Sequence, residues 1–134
     1  MLDHELASAI LASLRNEPAL ATLHGFTGHE NETHKLPALT VSAQSEPLAG
    51  SSTVFRATVL IVVESDGRDD SPEQHAARVA AVRAKLGDKA ALITSINSGG
   101  VVYLHGFAIG ASDPNIEATR FRTPITLKAG YSVP

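Results

Sequence analysis

The sequence contains no cysteine and no tryptophan, and only 4 % of its 134 residues are aromatic. Without cysteine the chain has no disulfide scaffold, no thiolate zinc site and no cysteine nucleophile. A core must therefore be built from Val, Leu, Ile and Ala, and the hydrophobic content of 43 % allows this. The length predicts one domain over residues 1–134.

Long apolar runs and familiar catalytic motifs are also missing. No apolar run approaches the roughly 20 residues of a membrane span, and the acidic start of the chain lacks the positive region of a secretory signal. The net charge is −3, so we expect no membrane association and no specific nucleic-acid binding. Nucleotide-binding glycine loops and the serine-hydrolase elbow are absent. We therefore expect no cofactor, no bound metal and no catalytic residue, and we predict that the chain is not an enzyme.

Apolar residues recur with helical spacing in two segments. Residues 2–14 place a leucine or isoleucine at every fourth position, and Pro18 ends this helix. A second helix begins at a capping box formed by Ser71 and Gln74 and is expected to end before Gly87. The ten residues that follow predict a shorter helix or an irregular turn.

Alternation of apolar and polar residues predicts four strands. They span 39–44, 53–65, 101–111 and 116–130. We expect a turn at 113–115 between the last two strands, and Pro124 inside the final strand predicts a sheet edge or a bulge there. The element order α-β-β-α-β-β predicts an α+β domain, with a four-stranded antiparallel sheet and helices packed on one face.

The second face of this sheet is predicted to be an interface. Strand 53–65 is apolar on both sides at its middle, so both sides are expected to be covered. The side opposite the main core mixes arginine with aliphatic residues, and the last strand adds arginines to it. Arginine is enriched at protein interfaces. The candidate contact residues are Arg56, Leu60, Val62, Arg120 and Arg122.

Three of the six histidines lie close together before the first predicted strand. They are His24, His29 and His34. Their spacing of five separates neighbours by about 140° on a helix, whereas a zinc-protease helix spaces its two histidines four apart. A solvated loop between Gly28 and Pro37 fits better. A small metal-dependent enzyme using these histidines remains the alternative from another functional class.

The other polar residues that suggest chemistry have structural explanations. Asp66, Asp69 and Asp70 lack the alternating ligands of a calcium loop and are expected to keep the loop solvated before the helix. His75 borders the apolar stripe of that helix, so we expect it to pack rather than to catalyse. His105 is expected to be a hydrogen-bonded strand residue.

The order of elements and one long segment resemble a known family. The segment "TVFRATVLIVVESDGRDDSPEQHAARVAAVRAKL" is similar to small phage tail-completion proteins, specifically tail terminators. The residues that match the helix of that family are His75, Val79, Val82, Arg83 and Leu86. "FRTPITLKAG" resembles the closing strand of the family.

This resemblance implies a structural protein that forms a ring, commonly a hexamer. Such a ring caps the polymerised tail tube, stops its growth and offers a surface for joining the head. The implied partners are further copies of the chain, the tail tube protein and a head–tail connector or neck protein. The implied location is the head-proximal end of the tail in the virion, after assembly in the host cytoplasm. A head-closure or neck protein remains an alternative, as does a host binding module whose ligand the sequence does not reveal.

Overall fold

A computed structural model describes residues 2–27, 35–48, 50, 53–112, 115–116 and 120–134, and only the backbone of residues 2, 111–112 and 115–116. The elements in chain order are α1 (Leu2–Leu14), α2 (Pro18–Ala21), β1 (His24–Thr27), β2 (Ala38–Pro47), β3 (Val54–Asp66), α3 (Pro72–Gly87), α4 (Lys89–Asn97), β4 (Tyr103–Ser112), β5 (Asn115–Ile116) and β6 (Arg120–Ser132).

The strands form one mixed sheet. Five of them lie side by side in the order β1-β2-β3-β6-β4, and β5 also pairs with β6. The pairing of β1 with β2 is parallel, and the other described pairings are antiparallel. The predicted α+β class is confirmed. The prediction of a four-stranded antiparallel sheet is wrong, because the sheet has six strands among the described residues and contains one parallel pair.

The sequence did not predict β1, and it predicted β5 only at Ile116, as the start of the strand 116–130. β5 has two residues and β1 has four, so β5 is shorter than the four to eight residues over which alternation is informative and β1 is at the lower limit. The predicted turn at 113–115 is wrong at Asn115, which pairs with Arg122 inside the sheet. Residues 113 and 114 lie outside the described part of the chain. The predicted order also lacked α2 and left α4 undecided between helix and turn.

The core lies between one face of the sheet and the helices. Leu6, Ile10 and Leu14 of α1 are 0–2 % exposed and belong to the same cluster as the inward side chains of β2, β3, β4 and β6. Buried residues of α3 and α4 join it. Aliphatic side chains fill most of this space, as the composition predicts, and the rings of Phe55 and Tyr131 stack within it at 5.4 Å.

Strand β6 is central rather than peripheral. It pairs with β3 along its whole length and with β4 on its other side. Of the two alternatives predicted at Pro124, the sheet edge is therefore wrong, and the bulge agrees with the register of β4. The register of β4 shifts between Ile109 and Ser112, which oppose Leu127 and Ile125. This irregularity lies beside Pro124, where the ring has no N–H to donate to a neighbouring strand. The register shift of β4 thus accommodates the missing backbone donor of Pro124 on the neighbouring strand.

Helix α3 begins as predicted. Ser71 Oγ accepts a hydrogen bond from the Gln74 amide at 3.1 Å, and Gln74 Oε1 accepts one from the Ser71 amide at 2.7 Å. The helix includes Gly87 and is capped by Asp88, one position later than predicted, and α4 follows at once. Within the described ranges, no helix has both the length and the apolar character of a membrane span.

Candidate interface on the second face of the sheet

The face of the sheet that points away from the core is the candidate site. Successive strand residues alternate between faces, so β3 sends Val59 and Ile61 into the core and presents Arg56, Thr58 and Leu60 on the other side. The buried residues of α1, α3 and α4 join the core on its own face. In the described part of the chain, the second face therefore carries strand side chains without a helix over them.

All five predicted contact residues lie on this face, but they do not form one cluster. The register pairs Leu60 with Thr126, Val62 with Pro124 and Asp66 with Arg120. Arg56 and Asp66 are ten positions apart on β3, which corresponds to about 33 Å along an extended strand. Arg56 therefore lies near one end of the face, and Arg120 lies near the other.

The end near Arg56 is polar and open to solvent. Arg56 Nε lies 3.8 Å from Glu46 Oε1, and both side chains are mostly exposed, at 68 % and 71 %. An ion pair this exposed contributes little to stability. Lys128 Nζ donates to Thr58 Oγ1 at 2.9 Å. An open groove of about 690 Å³ runs between these residues, and its lining includes Gln44 and Gly130.

The middle of the face is apolar and only partly covered. Leu60 is half-buried between Ser42 and Thr126 on the neighbouring strands. Val62 is 1 % exposed although it lies outside the main core cluster. The expected covering of both sides is thus complete at Val62 and partial at Leu60. Of these two, only Leu60 presents apolar surface to a partner.

The opposite end of the face contains a buried acid. Glu64 is 2 % exposed, and its Oε2 lies 3.4 Å from Arg120 Nε. Arg122 opposes Glu64 in the register and is half-buried. Arg120 therefore neutralises a carboxylate within its own chain, which limits its availability to a partner. The ion pair was not predicted from the sequence, because Glu64 and Arg120 are far apart in the chain.

A second polar cluster lies behind the sheet, between α3 and the core face. Arg78 donates from one guanidinium nitrogen to Ser65 Oγ and to Asp70 Oδ2, at 2.8 and 2.9 Å. His75 Nδ1 is 2.8 Å from Ser65 Oγ, and His75 Nε2 is 2.9 Å from Thr123 Oγ1. These side chains join the first turns of α3 to β3 and β6.

Burial gives this cluster a structural role. Ser65 is 0 % exposed and His75 is 5 % exposed, so a substrate cannot reach the hydroxyl in this conformation. Desolvation, followed by the positive charge of Arg78, lowers the pKa of His75 below its usual value of 6.5, and Asp70 opposes this shift. The hydrogen bond from Arg78 lowers the pKa of Asp70 below 3.8, against desolvation. The prediction that His75 packs is confirmed by its burial.

The described residues do not support a metal site at the histidine segment or at the acidic loop. His24 is exposed at the start of β1, and His29 and His34 lie outside the described part of the chain. In that part, no three His, Asp or Glu side chains are grouped as metal ligands. In the acidic loop, both carboxylate oxygens of Asp70 accept hydrogen bonds from Arg78. His105 Nε2 lies 2.9 Å from Ser132 Oγ, the hydrogen-bonded strand position expected for it.

Comparison of the chain with protein-family models and with curated proteins gives no match.

Proposed function

We propose that this chain is the subunit of a phage tail-terminator ring. In this proposal several copies, six in the arrangement common to such rings, close around the end of the tail tube. One rim of the ring binds the last tube subunits and stops further addition. The other rim receives the connector or neck protein of the head. The chain is then a structural protein of the virion at the head-proximal end of the tail.

The observation that supports this proposal most strongly is the mixed apolar and charged composition of the second face of the sheet. It combines a half-buried leucine at its centre with exposed Gln44, Glu46, Arg56 and Lys128 at one end. Mixed apolar and charged surface of this kind is typical of protein interfaces with a hydrophobic centre and a polar rim. The resemblance of the sequence to tail terminators adds the identity of the partners.

The two sides of the subunit differ in a way that suits a cap. One side presents the outer faces of α1, α3 and α4, whose exposed residues are small or polar, and the other presents strand side chains. A cap must bind tube subunits on one surface and offer a different surface on the other, so that the tube does not continue to grow. A subunit with chemically distinct sides meets this requirement, because each surface selects its own partner.

The test is a tube-capping assay with purified tail tube protein. Polymerising tubes are mixed with the wild-type chain, with Leu60→Glu or with the matched control Ala80→Glu, and tube lengths are measured by negative-stain microscopy. Ala80 is exposed on α3, on the other side of the molecule. We expect wild type and control to shorten the tubes and to be seen at tube ends. A charge at Leu60 should weaken the contact about 10- to 100-fold, or roughly 1.4 to 2.7 kcal/mol.

Tube lengths unaffected by the wild-type chain, with no ring at the tube ends, would contradict the proposal. Binding to a portal-side connector without binding to tubes would instead favour the neck-protein alternative. Zinc-dependent heat in calorimetry, together with loss of stability on chelation, would favour the metal-enzyme alternative.

A further inference from the structure

The two outer edges of the sheet run in opposite directions. β1 is parallel to β2, and the chain direction then alternates through β3, β6 and β4. β4 is therefore antiparallel to β1 across the width of the sheet. In the described ranges each of these strands pairs with a strand on one side only. Unpaired strand edges are templates for pairing with another chain.

The hydrogen bonds of β6 define which backbone groups of β4 face outward. Val133 N donates to Thr53 O, so alternate residues of β6 from Tyr131 backwards direct their N–H and C=O groups towards β3. The β4 residues opposite them are Leu104, Phe107 and Ile109 and, beyond the register shift, Ser112. These residues consequently direct their own N–H and C=O groups away from β6, towards the open edge.

Asn97 at the end of α4 confirms this direction and limits the free edge. Its Oδ1 accepts from Leu104 N at 2.6 Å, and its Nδ2 donates to Leu104 O at 3.2 Å. The amide side chain thus occupies the edge at Leu104 as a strand residue would. Phe107 and Ile109 have no such partner in the described part of the chain, so the regular stretch of free edge, before the register shift that follows Ile109, spans these two residues.

The free edge of β1 matches this regular stretch of β4 in size. His24 N donates to Pro37 O, so the backbone groups of His24 face β2, and those of Gly25 and Thr27 face outward. On each edge, two residues with one residue between them therefore direct their backbone N–H and C=O groups outward. Two hydrogen-bonded antiparallel pairs, Gly25 with Ile109 and Thr27 with Phe107, would satisfy all of these groups.

The side chains agree with this match. Thr27 Oγ1 lies 3.4 Å from His4 Nδ1 of α1, and a Cβ on Gly25 would meet Leu11 of α1 at 3.2 Å, so both residues lie on the helix side. Phe107 and Ile109 also lie on the core side. Paired residues share a face, so joining the two edges keeps all helices on one side of a continuous sheet.

We infer that β4 of one copy of this chain pairs antiparallel with β1 of the next copy. The contact is head-to-tail, and a head-to-tail contact generates a ring when its rotation closes. Exposed apolar side chains lie at this end of the sheet: Tyr103, the first residue of β4, is 38 % exposed, and Val101, two residues before it, is 48 % exposed. The inference names the joint between subunits and rests on the proposed ring function for its biological purpose.

Cysteine cross-linking tests the joint directly, because the chain has no cysteine of its own. The inferred register places Phe26 opposite Ala108 in a non-hydrogen-bonded pair, whose Cα separation of about 4.5 Å suits a disulfide. Phe26→Cys and Ala108→Cys are purified separately, mixed in equal amounts and oxidised. We expect at least about tenfold more cross-linked dimer than either variant gives alone, because the interface raises the effective thiol concentration.

Controls make each outcome decisive. Ala80→Cys on exposed α3, mixed with Phe26→Cys, should give only background cross-linking. If circular dichroism shows that Phe26→Cys does not fold, Thr27→Pro is tested instead. The proline removes the outward backbone N–H of residue 27, and an edge strand tolerates a proline after an extended residue. We expect this variant to weaken association of the full chain about tenfold.

Dimer formation by Ala108→Cys alone would overturn the inference in favour of a symmetric pairing of two β4 strands. Rings without cross-links in the mixture and without an effect of Thr27→Pro would also overturn it, while the capping function stood. Cross-links without tube capping would leave the joint intact and remove the proposed function.

Discussion

At the scale of single residues, the buried His75 is placed where its protonation would affect the fold. Its two ring nitrogens lie within hydrogen-bonding distance of Ser65 and Thr123, and Ser65 Oγ also accepts from Arg78. A neutral imidazole donates from one nitrogen and accepts at the other, whereas an imidazolium donates from both. Protonation would thus add a second cation beside Arg78 in a buried site and remove one acceptor.

The pH dependence follows from the lowered pKa of His75. Above the unfolded pKa of 6.5, His75 is neutral in both the folded and the unfolded chain, and its contribution to stability is fully present. Below it the unfolded chain binds a proton that the folded chain resists, so stability falls until the pH passes the lower folded pKa. We expect the free energy of unfolding in urea to fall below pH 6.5 by up to about 1.4 kcal/mol per pH unit from this group. The exposed-histidine control His105→Gln should keep this slope, and retention of the slope in His75→Gln would contradict the assignment.

Asp70 allows a second residue-scale prediction. Its carboxylate accepts two hydrogen bonds from Arg78, and both side chains are largely buried. We expect Asp70→Asn to lower the free energy of unfolding at pH 7 by about 1 to 3 kcal/mol, because a charge-assisted pair is lost at a site shielded from water. Asp69→Asn, on an exposed neighbouring position, is the matched control and should change stability by less than about 0.5 kcal/mol. Equal effects of the two changes would refute a special role for the Asp70 pair.

At the scale of secondary-structure elements, Asn97 decides how much of the β4 edge is open. It satisfies both backbone groups of Leu104. Asn97→Ala should destabilise the chain by about 1 to 3 kcal/mol through loss of these bonds and should increase concentration-dependent association, since it uncovers a further stretch of edge. Urea unfolding and light scattering measure the two effects. Asn16→Ala, at an exposed turn position, should show neither, and unchanged association in Asn97→Ala would contradict the capping of this edge.

Sequence patterns predicted the elements whose own residues encode them. The stripe of α1, the capping box of α3 and the alternation of β3 are local features, and all three are present. The parallel β1, the central position of β6 and the ion pair of Glu64 with Arg120 depend on contacts between distant segments. A local period cannot encode such contacts. Strand alternation is also local, and the five candidate contact residues lie on one face as it predicts. The covering of Val62 was expected from the apolar middle of β3, whereas the burial of Glu64 was not.

At the scale of the whole molecule, the central feature is a sheet with helices on one side and two complementary edges. Packing on the core face gives the chain its stability, while in the proposed ring the second face and the edges bind other chains. Because backbone pairing at an edge is less sensitive to salt than exposed ion pairs such as Glu46 with Arg56, assembly should depend only weakly on ionic strength. Sedimentation of the full chain in low and high salt measures this, and dissociation by salt alone would point to charged contacts as the main joint.

The mass of the assembly is the most direct test of the central claim, that this chain builds a closed ring. Native mass spectrometry of the full chain, over a range of concentrations, separates a closed ring from a monomer, a symmetric dimer and an open polymer. We expect one discrete species that contains several copies, six if the chain adopts the arrangement common to tail-terminator rings, and whose size does not grow with concentration. A chain that stays monomeric at high concentration, or that stops at two copies, would contradict the account.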